Sequence, residues 1–227
     1  VRSPIPFEKG SSMSRIVVIG GTGYAGSAIV AEAAARGHQV TAFSRSLPAE
    51  PVPDVTYVQG DATDEAALSS VVSGADIVVG ALSARGRLAG SFREVYRRVA
   101  RLADGGGLPL YVVGGFSSLR PAPGAPRFVA DLNHAPAEFH DEIVATAAVV
   151  TEDLPATPDS LNWVFVSPAG RFGSFAPGQR LGEYRLGDDV ALQPDGGGAI
   201  SGADYALGFV DLIDKGDHHR AHVNLGY

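Results

Sequence analysis

The 227-residue chain has no cysteine, one methionine, one tryptophan and only two lysines, Lys9 and Lys215. Without cysteine there are no disulfides, thiolate metal sites or thiol nucleophiles. No apolar run approaches the ~20 residues of a membrane-spanning helix. Residues 1–12 are polar and contain proline, and they lack the apolar core of a signal peptide. Positive charge is also scarce: 18 basic side chains stand against 25 acidic ones, a formal charge of −7. Such a chain has no field to gather nucleic acid or an anionic membrane, so an anionic ligand must be held by local groups. These absences predict a cytoplasmic monomer or homodimer whose partner is a small-molecule substrate, with no nucleic acid and no membrane.

What is present is enough for one core. Hydrophobic residues make up 45% of the chain and charged residues 19%, a globular balance. Residues 13–227 are read as a single domain, and residues 1–12 as a disordered or extraneous tail ahead of a start at Met13. Short β-branched runs alternate with helical patterns, which predicts an α/β fold with a doubly wound parallel sheet. Strands are expected at 15–20, 39–43, 55–59, 76–80, 110–113 and 161–166. Helices are expected at 24–36, 64–72, 91–103 and from Pro136 to about Leu154, the last with Phe139, Ile143, Val144 and Ala147 inward. Arg93, Arg97, Arg98 and Arg101 form the outer face of the third helix, read as a solvated surface. Beyond Val166 the alternation stops. Residues 167–227 are expected to be a small irregular substrate-side segment with a hairpin between 182–186 and 190–193, a helix opened by Ser201 and a last strand at 221–225.

One motif states a chemistry. Gly20-Gly21-Thr22-Gly23-Tyr24-Ala25-Gly26 follows the run Ile16–Ile19 directly and opens an alanine-rich helix. A strand leading into a tight glycine turn aims the free N–H groups and positive end of the next helix at a pyrophosphate. Gly23 allows close approach of the phosphates, and Gly26 allows the helix to pack on the strand. Strand two ends Ser44-Arg45-Ser46, with no carboxylate where an NAD site places one for the ribose 2′-hydroxyl. Arg45 offers a forked cation and the serines offer hydroxyls, a set suited to a 2′-phosphate, hence NADP(H). The alternative is an arginine that stacks on adenine without phosphate selectivity. Asp61, after strand three, is placed to accept from the adenine amino group or merely to end the strand. Ala81, Leu82 and Ser83 would pass beside the cofactor ribose.

The glycine turn, Arg45, Gly60-Asp61, Val113–Ser118, Val166–Ala169 and the closing Asn224–Tyr227 together resemble the atypical short-chain dehydrogenase/reductases, the NmrA-like and biliverdin/flavin-reductase-like NAD(P)-binding proteins. That resemblance spans Met13 to Tyr227 and implies a Rossmann fold with NADP(H) in an open cleft. It further implies that Thr22, Gly23, Tyr24 and Ala25 meet the pyrophosphate, Arg45 the 2′-phosphate, and Asp61 and Ala62 the adenine. Gly115, Phe116, Ser117 and Ser118, with Pro168, Ala169 and Gly170, would flank the nicotinamide. The chain departs from the common reductase pattern at one point. A catalytic tyrosine there precedes a lysine by four residues, whereas here Ile5 and Asp211 precede the two lysines. The dyad is absent.

Hydride transfer leaves the hard step to the cofactor, so a small conjugated, flavin-like or quinone-like acceptor needs little acid catalysis. Ser117 and Ser118 are the best-placed donors to polarise it, with a loop-capping role as the alternative. His134 and His140 lie where the missing tyrosine would fall, and either could donate a proton. Arg171 could hold an anionic substrate or simply face solvent. His218, His219 and His222 are read as a solvated group, and no metal site is expected. Trp163 is placed near the cleft. A non-catalytic NADP(H)-sensing module is the competing function.

Overall fold

The computed structural model describes residues 13–193 and 198–227, apart from the side chain of His134. The expectation for residues 1–12 lies outside these residues. Eight strands form one sheet: β1 (Arg15–Ile19), β2 (Gln39–Ser44), β3 (Thr56–Gln59), β4 (Ile77–Gly80), β5 (Leu110–Val113), β6 (Trp163–Pro168), β7 (Arg185–Gly187) and β8 (Ala221–Gly226). Their order is β3-β2-β1-β4-β5-β6-β8-β7, and every pair is parallel except β7 with β8. The chain reverses direction across the sheet between β1 and β4, the switch point at which open α/β sheets bind ligands.

Both faces of the sheet are covered, which is why its central strands are apolar throughout. On one face Ile16, Val18, Val79, Tyr111 and Val166 pack under helices α1 (Tyr24–Ala35) and α5 (Gly202–Lys215). On the other, Val17, Ile19, Val78, Val112 and Phe165 pack under α2 (Glu65–Val72) and α3 (Phe92–Gly106). The turn of π-helix at Val149–Asp153 completes that second layer, carrying on from α4 (His140–Ala148). No helix among the described residues is long and apolar enough to cross a membrane.

Several details differ from the sequence reading. α3 runs three residues further, until Gly107 takes a left-handed conformation (φ 64°) and caps it. Its arginines are not simply solvated: Arg93 and Arg97 both bind Asp153, and Arg98 donates to the Thr63 carbonyl. The helix expected from Pro136 is broken into a 3₁₀ turn, α4 and the π turn, and Val144 points outward at 49% exposure. The expected hairpin does not form. β7 pairs with β8, while Asn224 Nδ2 donates to the carbonyls of Asp188 and Val190 at 2.7 Å each and keeps 190–193 from folding back as a partner strand. Trp163 opens β6 at the amino-terminal end of the sheet, the end opposite the switch point.

The irregular segment is fastened by a buried carboxylate. Asp204, in the first turn of α5, is fully buried. It accepts from Ser201 Oγ (2.8 Å), Tyr227 Oη (2.6 Å) and the backbone N–H groups of Leu181 (2.7 Å) and Gly182 (2.9 Å). Burial pushes its pKa up, but the bonds from Tyr227, Leu181, Ser201 and Gly182 outweigh burial and hold it below the usual carboxylate value. A depressed folded-state pKa stabilises the fold above the unfolded value of about 4, and that stability fades as pH falls through the folded value. Asp204→Asn should lower unfolding free energy by about 2–4 kcal/mol at neutral pH. It should also flatten the acid limb of stability against pH in urea titrations; an unchanged acid limb would remove this role.

Candidate functional site

At the switch point the carboxyl ends of β1, β2, β3 and β4 open into a cleft of about 280 Å³. Gly20, Thr22, Gly23, Ser44, Arg45, Asp61, Ala62, Ala81, Leu82 and Ser83 all line it. Sequence reasoning named these ten residues, and the fold brings them to one place from four strand ends. Phe43, Ser46, Gly60, Arg85, Arg87 and Leu88 complete the lining.

The glycine turn works by removing side chains where backbones meet. Gly20 has φ 92°, and a Cβ on it would stand 2.4 Å from the Ala81 carbonyl oxygen. At Gly26, in the first turn of α1, a Cβ would stand 2.1 Å from the Gly20 carbonyl oxygen. Both contacts are with backbone, so neither can relax by a rotamer change. Helix α1 also differs from its neighbours at its amino end. Asp64 caps α2, Ser201 caps α5, and the uncapped α3 and α4 carry acidic residues in their first turns, whereas α1 follows Gly23 with neither a side-chain cap nor an acidic residue in its first turn. Its free N–H groups and dipole are left for an anion at the cleft floor, which fits a dinucleotide pyrophosphate.

Charge in the cleft is arranged around Asp61. The Thr63 backbone N–H and hydroxyl both donate to its carboxylate, and the guanidiniums of Arg87 and Arg45 add to them; together they hold its pKa below the ordinary value. Arg87 went unnoticed in the sequence because it sits in a 3₁₀ turn (Gly86–Leu88) whose approach to Asp61 depends on the path of the loop. Arg85 is committed elsewhere. It pairs with Glu142 on α4 and lies over the Phe139 ring at 4.8 Å, while Ser83 Oγ donates to the same carboxylate at 2.9 Å.

Other candidate residues lie outside the cleft lining. The Tyr24 ring turns away, with its hydroxyl donating to the Pro177 carbonyl (3.1 Å) and accepting from the Gly202 N–H (3.0 Å). Gly115 leads into a 3₁₀ turn, Phe116–Ser118, beyond β5. Phe116, Ala169 and Gly170 border a separate small crevice, and Pro168 is the buried last residue of β6. Ser117 is 9% exposed and Ser118 only 1%, with the Ser118 Oγ lacking a hydrogen-bond partner among the described residues. His140 opens α4 and places Nε2 2.9 Å from the Ala135 carbonyl. The exposed Arg171 donates its backbone N–H to the Gly198 carbonyl and accepts from the Ile200 N–H. The His134 side chain lies outside the described residues. His222 does not belong to a solvated histidine group: it is partly buried on β8, bonded to Ser167 and Arg127. Among the described residues no cluster could hold a metal ion.

A mostly parallel sheet with this strand order and a glycine-lined cleft at its switch point is the Rossmann architecture, which binds dinucleotides at that point. The comparisons agree. A family model described as NAD(P)H-binding matches residues 20–215, and the chain belongs to that family. The uncharacterized protein YwnB of Bacillus subtilis (strain 168) is 33% identical over 213 residues, covering 90% of this chain and 94% of YwnB. A candidate epimerase from Bacteroides thetaiotaomicron superposes with a TM-score of 0.83 at 30% identity, covering 95% of this chain and 98% of that one. A candidate NADH-flavin reductase from Streptococcus pneumoniae gives 0.82 at 31% identity, covering 94% and 99%.

The contact of Gly26 with Gly20 yields a test. Gly26→Ala should destabilise the protein by about 1–3 kcal/mol, because a methyl group must push two backbones apart. It should also weaken dinucleotide binding, and thermal melts with and without NADPH measure both effects. A wild-type melting temperature together with wild-type affinity would contradict the contact.

Proposed function

We propose that the protein is an NADP(H)-dependent oxidoreductase that passes hydride to a small conjugated, flavin-like or quinone-like acceptor. The observation that carries the cofactor choice is the pair Arg45 and Arg87. One comes from the end of β2, the other from the turn after β4, and both act on Asp61 from within one cleft. Two guanidiniums with the Ser44 and Ser46 hydroxyls make a set for a dianionic 2′-phosphate. The uncapped start of α1 would take the pyrophosphate, Asp61 and Ala62 the adenine, and Ala81–Ser83 the ribose on the nicotinamide side. Bound there, the cofactor would supply the hydride. The acceptor would lie near Gly115–Ser118 and Pro168–Gly170, where Ser117, the more exposed of the two serines, would polarise it. The candidate flavin reductase among the structural neighbours favours an acceptor of this class.

A second reading, a non-catalytic module that senses NADP(H), is favoured by how the acid candidates are placed. Ser118 is buried, the His140 imidazole is bonded to a carbonyl, and no tyrosine–lysine pair exists. NADPH oxidation measured against flavins, quinones, linear tetrapyrroles and enones separates the two. Turnover with any of them supports the reductase; tight NADPH binding with no turnover supports the sensor. Cofactor choice has its own test. Arg45→Ala and Arg87→Ala should each raise the Kd for NADPH by about 10–100-fold, the worth of a charge-assisted contact to phosphate, and leave that for NADH nearly unchanged. Equal affinities of the wild type for NADPH and NADH would refute the 2′-phosphate assignment.

A further inference from the structure

Beside its own backbone bonds, the turn at Gly115–Ser118 is held by two side-chain donors that converge on one imidazole. At the start of the turn the Gly115 carbonyl accepts from Ser167 Oγ at 2.9 Å. At its end the Ser118 carbonyl accepts from Arg127 Nη1 at 2.6 Å. His222 lies between the two donors, with Nε2 2.9 Å from Ser167 Oγ and Nδ1 3.2 Å from Arg127 Nη1. A guanidinium only donates, so Nδ1 must accept. The Ser167 hydrogen goes to Gly115, so Oγ accepts and Nε2 carries the proton. A neutral imidazole in this one tautomer satisfies both clamps; an imidazolium would turn an N–H toward Arg127.

The surroundings keep it neutral. Burial, then the Arg127 and Arg120 charges, lower the His222 pKa to about 3 against the opposing pull of Asp189. Asp189 in turn accepts from Arg127 Nη2 at 2.8 Å and from Arg120 Nε at 3.0 Å, so the charges beside the ring are fixed. Phe165 meets the ring edge-on at 5.2 Å and limits its rotation. His222 on β8 thereby joins Ser167 on β6 to Arg127, while Asp189 beyond β7 is held to the same segment directly by Arg120 and Arg127.

We infer that His222 is a positioning residue for hydride transfer: by orienting Ser167 and Arg127 it clamps both ends of the Gly115–Ser118 turn and fixes the surface on which the acceptor meets the cofactor. The link to hydride transfer rests on the oxidoreductase reading above; the clamp itself does not. His222→Phe keeps the ring and removes both nitrogens from the network, whereas His222→Gln keeps one acceptor and one donor.

Amide hydrogen exchange of the protein without cofactor reads the clamp directly. In His222→Phe the Ser118 and Leu119 amides should exchange roughly tenfold faster, the loss of about one hydrogen bond, while amides of β1 and β4 stay at wild-type rates. His222→Gln should restore most of the protection. With an acceptor that the wild type turns over, His222→Phe should lower kcat about tenfold with the NADPH Kd unchanged, since misplacement costs rate more than cofactor affinity. Unchanged exchange in the turn overturns the inference whatever the activity. Faster exchange with unaltered kcat overturns the positioning role. If the wild type turns over no acceptor, the oxidoreductase reading fails on its own, and the emission of bound NADPH decides the rest: the same emission in wild type and His222→Phe overturns the inference, and an altered one supports the clamp.

Discussion

Backbone touches backbone where β1 meets α1, and the rest of the molecule is arranged around that contact. Gly20 lies under the Ala81 carbonyl from the end of β4, and Gly26 under the Gly20 carbonyl. Three consequences follow from the missing side chains. The first turn of α1 comes close enough to the sheet for Ile29, Val30 and Ala33 to bury fully against it. The gap above the ends of β1 and β4, which stay in contact through Gly20 and Ala81, has no side chain from Gly20 or Gly23 to fill it. The first N–H groups of α1 are directed into that gap without a cap. Any side chain at Gly26 would strike the Gly20 carbonyl and push the start of α1 away from the sheet.

The carboxyl end of the sheet carries a long irregular stretch, and buried polar groups order it where periodic packing does not. Asp204 gathers Ser201, Tyr227 and the backbone at Leu181 and Gly182. Tyr24 joins the glycine turn to the same stretch through Pro177 and Gly202. The buried Asp204 carboxylate and Ser201 hydroxyl would be costly to bury alone, so these bonds favour ordering the segment together. Phe172 packs against the rings of Tyr24 (5.2 Å) and Tyr205 (4.5 Å), linking α1 to α5 through the same stretch. The stretch owes its shape to the same helices, α1 and α5, that carry one face of the core.

The parts of this structure that could be read in the sequence are those whose physics is local. Ile16–Ile19 reads as a buried parallel strand because its residues alternate between two covered faces, and the glycines announce the turn because no other residue tolerates such contacts. Arg45 is legible from its place at the end of β2. Arg87 is not, because its approach to Asp61 depends on the path of a loop that Arg85 and Ser83 tie to Glu142, more than 50 residues away. His222 is hidden for the same reason: its partners come from Ser167 and Arg127, and nothing near Ala221–Asn224 marks them. β7 is three residues long and pairs across a gap of almost 40 residues, which periodicity cannot detect. Trp163 is a different case. Its strand is legible, and the direction of a parallel strand already places its first residue at the end away from the ligand.

Commitment of the polar groups bears on the chemistry still open at this site. In the network beyond β5, Ser167, His222, Arg127 and Asp189 satisfy one another, and a His222 pKa near 3 keeps that ring neutral near pH 7, so it is no general acid. Arg127 is a fixed donor to a backbone carbonyl. Under the reductase reading, a hydride acceptor beside this turn would have only the Ser117 hydroxyl to polarise it, and would have to stabilise most of its developing negative charge itself or take a proton through the open side of the cleft. An isolated ketone does neither well, which is the reason the common reductases carry an acidified tyrosine. A flavin or quinone delocalises the charge over its ring system, and the proton can follow from water. The lack of a lysine to acidify a tyrosine thus narrows the acceptor class by the same logic as the pairing of the remaining polar groups. Under the reductase reading, both observations select a substrate that brings its own electron sink.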